Sequence, residues 1–288
     1  LPAGGNMVVW GGHEPSSVPF PDGPGWQVRR GVLAKILLNL AREAGAFVQD
    51  DATVVEVSVP SLDAPPGERR SGVDITYHRS GDSLGSSGGC RSVRARFVLD
   101  CSGRAGVLAS QFRGGEDRSA TRALVGVWKG TRRSGVEDRG YTLVESYRDG
   151  WVWSIPVDHE HRYFTAMVDP ELTPLDDVSG LEGTYIGELE KAEFAAELLK
   201  GGELVGRVSA WGATPYQTNR FCGPGFLLVG DAAAFIDPLS SYGVKRALAS
   251  GWLASVVAHT AITDFGREAI ALRFFEDRER EVVKSFHD

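Results

Sequence analysis

No Gly-x-Gly-x-x-Gly run occurs in the 288 residues of this chain. Gly4-Gly5, Gly11-Gly12, Gly23-Pro24-Gly25 and Gly223-Pro224-Gly225 all lack the spacing and the strand–helix flanks that a pyrophosphate-cradling turn requires. Basic clusters are scarce as well. The net charge is −7, and Arg29-Arg30 and Arg132-Arg133 stand as isolated pairs, which argues against a nucleic-acid partner. Cys90, Cys101 and Cys222 are far apart, with no Cys-x-x-Cys or Cys/His cluster. They predict free thiols, no metal site and a reducing, cytoplasmic setting. Long apolar runs are missing too. The longest, Ala247 to Ile262, carries Ser250, Ser255, His259 and Thr260, too short and too polar for a membrane span, and reads as a buried helix. No signal peptide is evident at the start.

What remains is ordinary globular material. Hydrophobic residues make up 42% and charged residues 24%, enough to build one large domain or two interleaved ones. Residues 1–28 read as loops around a short strand near Met7 to Trp10. Val32, Ile36, Leu40 and Ala44, joined by Leu33, Leu37 and Ala41, then mark one helical face that ends at Gly45. Ala46 to Gln49, Thr53 to Val59 and Val73 to Tyr77 read as strands, and Ser92 to Asp100 leads back into the core. A turn-rich insert (Pro60 to Gly72) and a Gly/Ser loop (Ser80 to Gly89) lie between them. From Thr121 to Thr214 the aromatic, β-branched segments Ala123 to Lys129, Tyr141 to Tyr147, Trp151 to Pro156 and Arg162 to Val168 predict an antiparallel sheet. One charged helix, Gly183 to Lys200, and a strand, Leu204 to Trp211, complete that region. The end of the chain, Arg267 to Lys284, reads as an amphipathic helix.

Residues 226–243 carry the most information. Phe226 to Val229 is a brief apolar run stopped by Gly230-Asp231, and reads as a buried strand. Asp237-Pro238 is a second turn signal, and a helix is predicted from Val244. Such an arrangement brings a carboxylate to the end of a buried strand and aims a helix start beyond it, where unpaired N–H groups favour an anionic or electron-rich ligand. An Asp that merely caps a helix fits the same pattern. Two further segments stand out. Val98 to Asp100 is a strand run followed by Cys101-Ser102-Gly103-Arg104, where small residues allow close backbone approach. In Gly150-Trp151-Val152-Trp153-Ser154-Ile155-Pro156, strand alternation puts both tryptophans on one face, either as core or as the wall of a site.

Together these strings resemble a known family. Gly230-Asp231-Ala232-Ala233, with Asp237-Pro238 and Gly243, is similar to the second FAD-contacting motif of flavoprotein hydroxylases and their relatives. Gly150 to Pro156 matches, residue for residue, the GWxWxIP signature of flavin-dependent halogenases. The resemblance implies that Asp231 hydrogen-bonds the ribityl chain of FAD and that Gly230, Asp237, Pro238 and Gly243 line the cofactor. It also implies that Ser102 and Gly103 let the backbone approach the dinucleotide, and that Arg30, ahead of Leu33, Leu37 and Leu40, lies near it. An arginine at a helix start is otherwise an ordinary surface residue. Trp151 and Trp153 would wall the flavin, with Gly150, Ile155 and Pro156 completing the strand. Halide would sit at the backbone amides of Tyr242 and Gly243.

The fold so implied is mixed α/β (α+β). An FAD-binding three-layer domain of the flavoprotein hydroxylase type, residues 1–120 and 215–288, would be interrupted by an antiparallel substrate sheet at residues 121–214. In the family the GxGxxG fingerprint and the catalytic lysine both precede the point matched by this chain's start, so the first βαβ segment is expected to be absent here. No catalytic lysine is assigned, since Lys35, the first, falls in the amphipathic helix. Ser240 replaces the glutamate that tryptophan halogenases carry, which argues against free tryptophan as substrate. Tyr242 is bulkier than the residues usual there. The expected activity is halogenation of an electron-rich aromatic or pyrrole, free or carrier-tethered, by reduced FAD, oxygen and chloride or bromide. A separate flavin reductase would serve it, in secondary metabolism. The alternatives are an FAD-dependent aromatic monooxygenase and a catalytically incomplete flavoprotein fragment that acts as a binding module.

Overall fold

The computed structural model describes residues 1–61, 72–81, 89–114, 121–131, 140–173 and 180–286. Most of the expected insert at Pro60 to Gly72, most of the loop at Ser80 to Gly89, and the pair Arg132-Arg133 fall outside the described residues. In chain order the strands are β1 (Pro2–Ala3), β2 (Gly5–Val9), β3 (Ser16–Pro19), β4 (Gly25–Trp26), β5 (Ala52–Ser58), β6 (Val73–Arg79), β7 (Arg91–Ala95) and β8 (Val98–Asp100). They continue as β9 (Arg122–Lys129), β10 (Thr142–Tyr147), β11 (Gly150–Pro156), β12 (His161–Val168), β13 (Glu203–Gly212), β14 (Tyr216–Gln217), β15 (Cys222–Gly223), β16 (Phe226–Leu228) and β17 (Ala234–Phe235). The helices are α1 (Arg30–Glu43), α2 (Gly180–Glu190), α3 (Glu193–Leu199), α4 (Gly243–Thr263) and α5 (Glu268–Lys284). The chain divides into two units, residues 1–48 with 118–214 and residues 49–117 with 215–288.

The first unit is built on a seven-stranded sheet in the order β13-β9-β12-β11-β10-β2-β3. All its pairings are antiparallel except one: β2 runs parallel to β10, Met7 opposite Leu143. That pairing is why residues 1–48 group with the sheet rather than with the segment that follows them, as the sequence had suggested. One face of the sheet is a core in which Val9, Leu124, Val152, Phe164 and Ala166 meet Tyr185 and Leu189 of α2 and Ala195 and Leu198 of α3. Gly126 makes room for this packing, because a Cβ there would stand 2.7 Å from the Tyr185 hydroxyl.

Two local expectations fail here for identifiable reasons. The single helix expected over Gly183 to Lys200 is two. Ala192 is extended (φ −98, ψ 106) and a new N-terminus opens behind it. The buried Glu145 carboxylate accepts the N–H groups of Phe194 (3.0 Å) and Ala195 (2.8 Å), a cap supplied from some fifty residues upstream. The strand expected over Ala46 to Gln49 is absent. Gly45 takes φ +90, and Ala46 donates its N–H back to the Ala41 carbonyl while Gly45 donates to Arg42, a Schellman closure of α1. The apolar face of α1 (Val32, Ile36, Leu40) is exposed.

In the second unit β16 runs parallel to β8, with Phe226 opposite Val98 and Leu228 opposite Asp100, and β15 pairs antiparallel on its far side. β5, β6 and β7 form an antiparallel sheet. Phe221, Phe226, Leu227, Leu228, Ala254, Val257 and Phe275 lie in one core cluster. α4 is not the buried helix that its apolar run suggested. Ser250, Ala254, Val257 and Ala261 face inward, while Val244, Leu248, Trp252 and Val256 form an outward stripe, with Trp252 70% exposed.

Candidate functional site

The C-terminal ends of the two parallel strands lie side by side, and both expected cofactor turns spring from them. After β8, the buried Asp100 carboxylate organises the next nine residues. Its Oδ1 accepts the N–H and the hydroxyl of Ser102 (2.9 and 2.6 Å), and its Oδ2 accepts the N–H groups of Leu108 and Ala109 (both 2.9 Å). Ser102 Oγ in turn accepts Val107 N–H at 2.9 Å. Thus the donors of Ser102 serve the turn itself. Gly103 sits at φ +65 with nothing within 4 Å of where a Cβ would be, so its backbone faces open space.

After β16, Gly230 (φ +58), Asp231 and Ala232 form a single tight turn. Such a turn leaves carbonyls without ladder partners, and side chains from flanking elements supply the donors. Arg246 of α4, only 2% exposed, donates Nη1 to the Gly230 carbonyl at 3.0 Å and to the Ala234 carbonyl at 2.7 Å. Its Nη2 pairs with Glu279 Oε2 of α5 at 2.9 Å. Burial pushes the Glu279 carboxyl upward, and the Arg246 charge opposes that shift. The Tyr216 hydroxyl donates to the Asp231 carbonyl at 2.5 Å, and Thr218 donates its N–H to the Ala233 carbonyl (2.8 Å) while its hydroxyl is shared between the Arg220 (2.6 Å) and Ala233 (2.9 Å) carbonyls. None of these donors was singled out from the sequence. An arginine within the apolar run of α4 was the one visible signal.

The second half of the motif is local. Asp237 Oδ1 accepts Leu239 N–H at 2.8 Å and caps a short turn with Pro238 at its first position. Ser241 has φ +52, the one non-glycine residue with positive φ among the described residues. Tyr242 N–H points to Ser240 Oγ (3.3 Å), so one of the two amides expected to meet a halide already has an acceptor. Gly243 opens α4, where the first N–H groups have no partner within the helix, and nothing lies within 4 Å of a Cβ built there. The Tyr242 ring rests against Phe286, centroids 4.9 Å apart.

Arg30, Trp151 and Trp153 belong to the other unit. Arg30 is exposed at the first position of α1, and that first turn holds no acidic residue. On β11 the burial alternates. Val152 and Ser154 face the helical core, and Trp151, Trp153 and Ile155 face the opposite side. Trp151 lies in a lateral row with Met167, Ala123 and Trp211, and its ring is 6.4 Å from that of Trp10. Trp153 Nε1 is buried with no acceptor among the described residues. Gly150 admits the neighbouring strand, since a Cβ there would collide with the Met167 carbonyl.

The second unit thus brings two aspartates and open glycine backbone to its parallel strand ends, and the first unit carries a tryptophan-lined sheet face. Comparison with known proteins gives the class. A sequence model described as Tryptophan halogenase matches residues 23–288. The chain is 32% identical over 258 residues to a tryptophan 2-halogenase of Chondromyces crocatus, covering 87% of this chain and 47% of that protein. It is 26% identical over 280 residues to a flavin-dependent halogenase of Armillaria mellea, covering 90% and 52%. Among solved structures, the flavin-dependent halogenase CmlS superposes with a TM-score of 0.85 at 24% identity, over 100% of this chain and 51% of that one. The myxobacterial chondrochloren halogenase CndH gives 0.83 at 24%, over 100% and 67%. The chain therefore belongs to the tryptophan halogenase family and has the mixed α/β fold of the FAD-dependent halogenases. It spans about half the length of the curated relatives it matches.

Among the described residues, no group of His, Cys, Asp and Glu is placed to hold a metal, and no helix is long and apolar enough to cross a membrane.

Proposed function

We propose that this chain is the flavin- and substrate-facing portion of an FAD-dependent halogenase acting on an electron-rich aromatic or pyrrole, free or carrier-tethered, in the cytoplasm. The single observation that carries the reading is the orientation of β11. Both tryptophans of its signature turn away from the helical core, onto a face shared with Trp211 and flanked by Trp10. Tryptophans serving only as core would face α2 and α3, as Trp128 of β9 does. Bulky indoles on a sheet face exclude water, which the chemistry of a reduced flavin with oxygen requires.

The residues at the strand ends fit the polyol portion of FAD. The carboxylate of Asp231 is an acceptor matched to ribityl hydroxyls, and the open backbone at Gly103 and Gly243 permits close approach. Gly230, Asp237 and Pro238 shape the same turns, and Ser102 holds the Gly103 turn in place. Arg30 is assigned to the anionic portion of the cofactor as a charge-assisted donor. When bound, FAD reduced by a partner reductase would supply oxygen activation. Chloride or bromide would be held by the dipole and free amide at the start of α4, through Gly243 more than through Tyr242. The chain's own contribution is to orient the polyol, hold the anion and keep water out.

The test supplies the protein with a flavin reductase, NADH, FAD and bromide, and follows bromination of monochlorodimedone and of phenol and pyrrole panels. Halide-dependent bromination is expected. Hydroxylation that continues without halide would replace this reading with an aromatic monooxygenase, and flavin binding without any turnover would replace it with a binding module.

A further inference from the structure

We infer that Tyr216, polarised by Arg113, is a positioning residue that holds the backbone of the Gly230–Asp231 turn, from which the Asp231 carboxylate serves the ribityl chain of the flavin. The inference rests on the flavin reading of Asp231 and adds a residue to it. Four side chains stack in sequence along the Gly230–Asp231 turn. Arg104 lies 4.2 Å over the Phe235 ring, Phe235 and Tyr216 are stacked with centroids 6.1 Å apart, and Arg113 lies 4.4 Å over Tyr216. Pairing of β14 with β17 sets Tyr216 opposite Phe235 and holds the stack in register.

The hydrogen bonds run in one direction through this stack. Arg113 Nη2 donates to the Tyr216 oxygen at 3.1 Å, which leaves the phenolic proton for the Asp231 carbonyl at 2.5 Å. An oxygen that accepts from a cation becomes a stronger donor, so the second bond gains from the first. Arg113 is itself wedged in place. A Cβ at Gly106 (φ +57) would collide with its guanidinium, and its Nε is buried without a partner among the described residues.

The geometry explains why a carbonyl contact matters to a side chain. Gly230 and Ala234 are tied by Arg246 and Ala233 by Thr218, and the peptide following Asp231 is held at its carbonyl by Tyr216 and at its N–H by the Val229 carbonyl (3.3 Å). Together these contacts pin the Cα of Asp231, the root from which its side chain leaves the strand end. Tyr216 touches no reacting atom in this scheme. It acts through Asp231.

The discriminating experiment compares riboflavin with lumiflavin, which has the ring system and no ribityl chain, by fluorescence quenching on the wild type, Tyr216→Phe, Asp231→Ala and the double variant. Phe keeps the ring stack and loses only the hydroxyl. Tyr216→Phe should weaken riboflavin about three- to tenfold, the range expected for one net hydrogen bond, and leave lumiflavin unchanged. In the Asp231→Ala background it should add nothing. Arg113→Gln, which removes the polarising charge, should weaken riboflavin less than Tyr216→Phe does. If Asp231→Ala weakens riboflavin and Tyr216→Phe does not, the inference fails and the flavin reading stands. If Tyr216→Phe weakens both flavins equally, its role is general packing and the inference fails. If Asp231→Ala leaves riboflavin binding unchanged, or the wild type binds neither flavin, the functional reading fails and takes this inference with it.

Discussion

Replacing Arg246 with methionine should destabilise the second unit by about 4 kcal/mol, because breaking a buried ion pair from one side typically costs about 3–5 kcal/mol. The guanidinium and the Glu279 carboxylate are both almost fully inaccessible, with 2.9 Å between Nη2 and Oε2. Methionine fills most of the volume of the arginine stem, so the loss is electrostatic and not a cavity. The carboxylate left behind has no comparable cation. Two carbonyls also lose donors, but Gly230 O still accepts Ala233 N–H at 3.0 Å, so their share is the smaller one. Pairing the change with Glu279→Leu removes the stranded charge. The double variant should then be more stable than Arg246→Met alone, with a coupling of about 2–3 kcal/mol.

The pH dependence gives an independent check. Burial holds the Glu279 carboxyl above its ordinary value, so the folded state binds its proton more readily than the unfolded state. Between the two values stability falls as pH rises. Arg246 opposes this shift, so the deficit of Arg246→Met should grow as pH rises above the ordinary carboxyl range. Six of the seven tryptophans lie in the first unit, so bulk fluorescence would report the wrong region. Hydrogen exchange of amides in α4 and α5, corrected for intrinsic rates and measured against urea, reads the right one. Protection within about 1 kcal/mol of wild type, or additive single variants, would refute the reasoning.

Three further outcomes follow from the first unit. Glu145→Ala removes the cap on Phe194 and Ala195 and should cost about 1–3 kcal/mol with selective loss of protection in α3, whereas Glu145→Gln keeps an acceptor and should cost less. Gly126→Ala drives a methyl group against the Tyr185 hydroxyl, which itself donates to the Phe164 carbonyl; urea unfolding should show a loss of about 1–3 kcal/mol, and a neutral result would mean that α2 shifts freely. The Asp158 carboxyl, which accepts the N–H groups of Glu160 and His161, is lowered to about 2 from 3.8. Its folded value being depressed, the turn between β11 and β12 should lose stability as pH falls from about 4 to about 2. Asp158→Asn should flatten that limb in an NMR titration of the turn amides.

The elements that could be read from the sequence are those whose signal is local. β9 to β13 were recognisable because apolar, aromatic and β-branched residues cluster within six to ten positions, β16 by a brief apolar run stopped at Gly230, and Gly45 announced the end of α1 by its own backbone preference. What escaped was set by residues far along the chain. The break between α2 and α3 is made by Glu145, and the parallel seat of β2 by a partner some 135 residues on. The amphipathic patterns of α1 and α4 were visible, yet a pattern tells which residues share a face and not whether that face is covered. The site divides in the same way. Asp231 and Gly103 declare themselves through glycine and strand-end chemistry, whereas Tyr216 and Arg113 sit in no periodic or turn signal, and the helical patterns that hold Arg246 and Glu279 do not reveal that the two pair.

That division has a physical cause. A Gly-Asp turn at a strand end satisfies only part of its own backbone, since the conformation that ends the strand also removes its carbonyls from the ladder. The donors must come from elsewhere, and any element that passes close by can provide them. Their positions are therefore fixed by the tertiary fold and not by the motif. Period-2 alternation has the same incompleteness on β11. It assigns Trp151 and Trp153 to one face together, and the choice of face is made by Gly126, Ser154 and Ala166, whose small side chains admit Tyr185 and α2 on the other side. Trp128 finds room at the edge of that side, where its Nε1 donates to the Tyr185 hydroxyl at 3.1 Å, but an indole at Ser154 would displace α2, so the aromatic face of β11 is left for what the sheet must shelter.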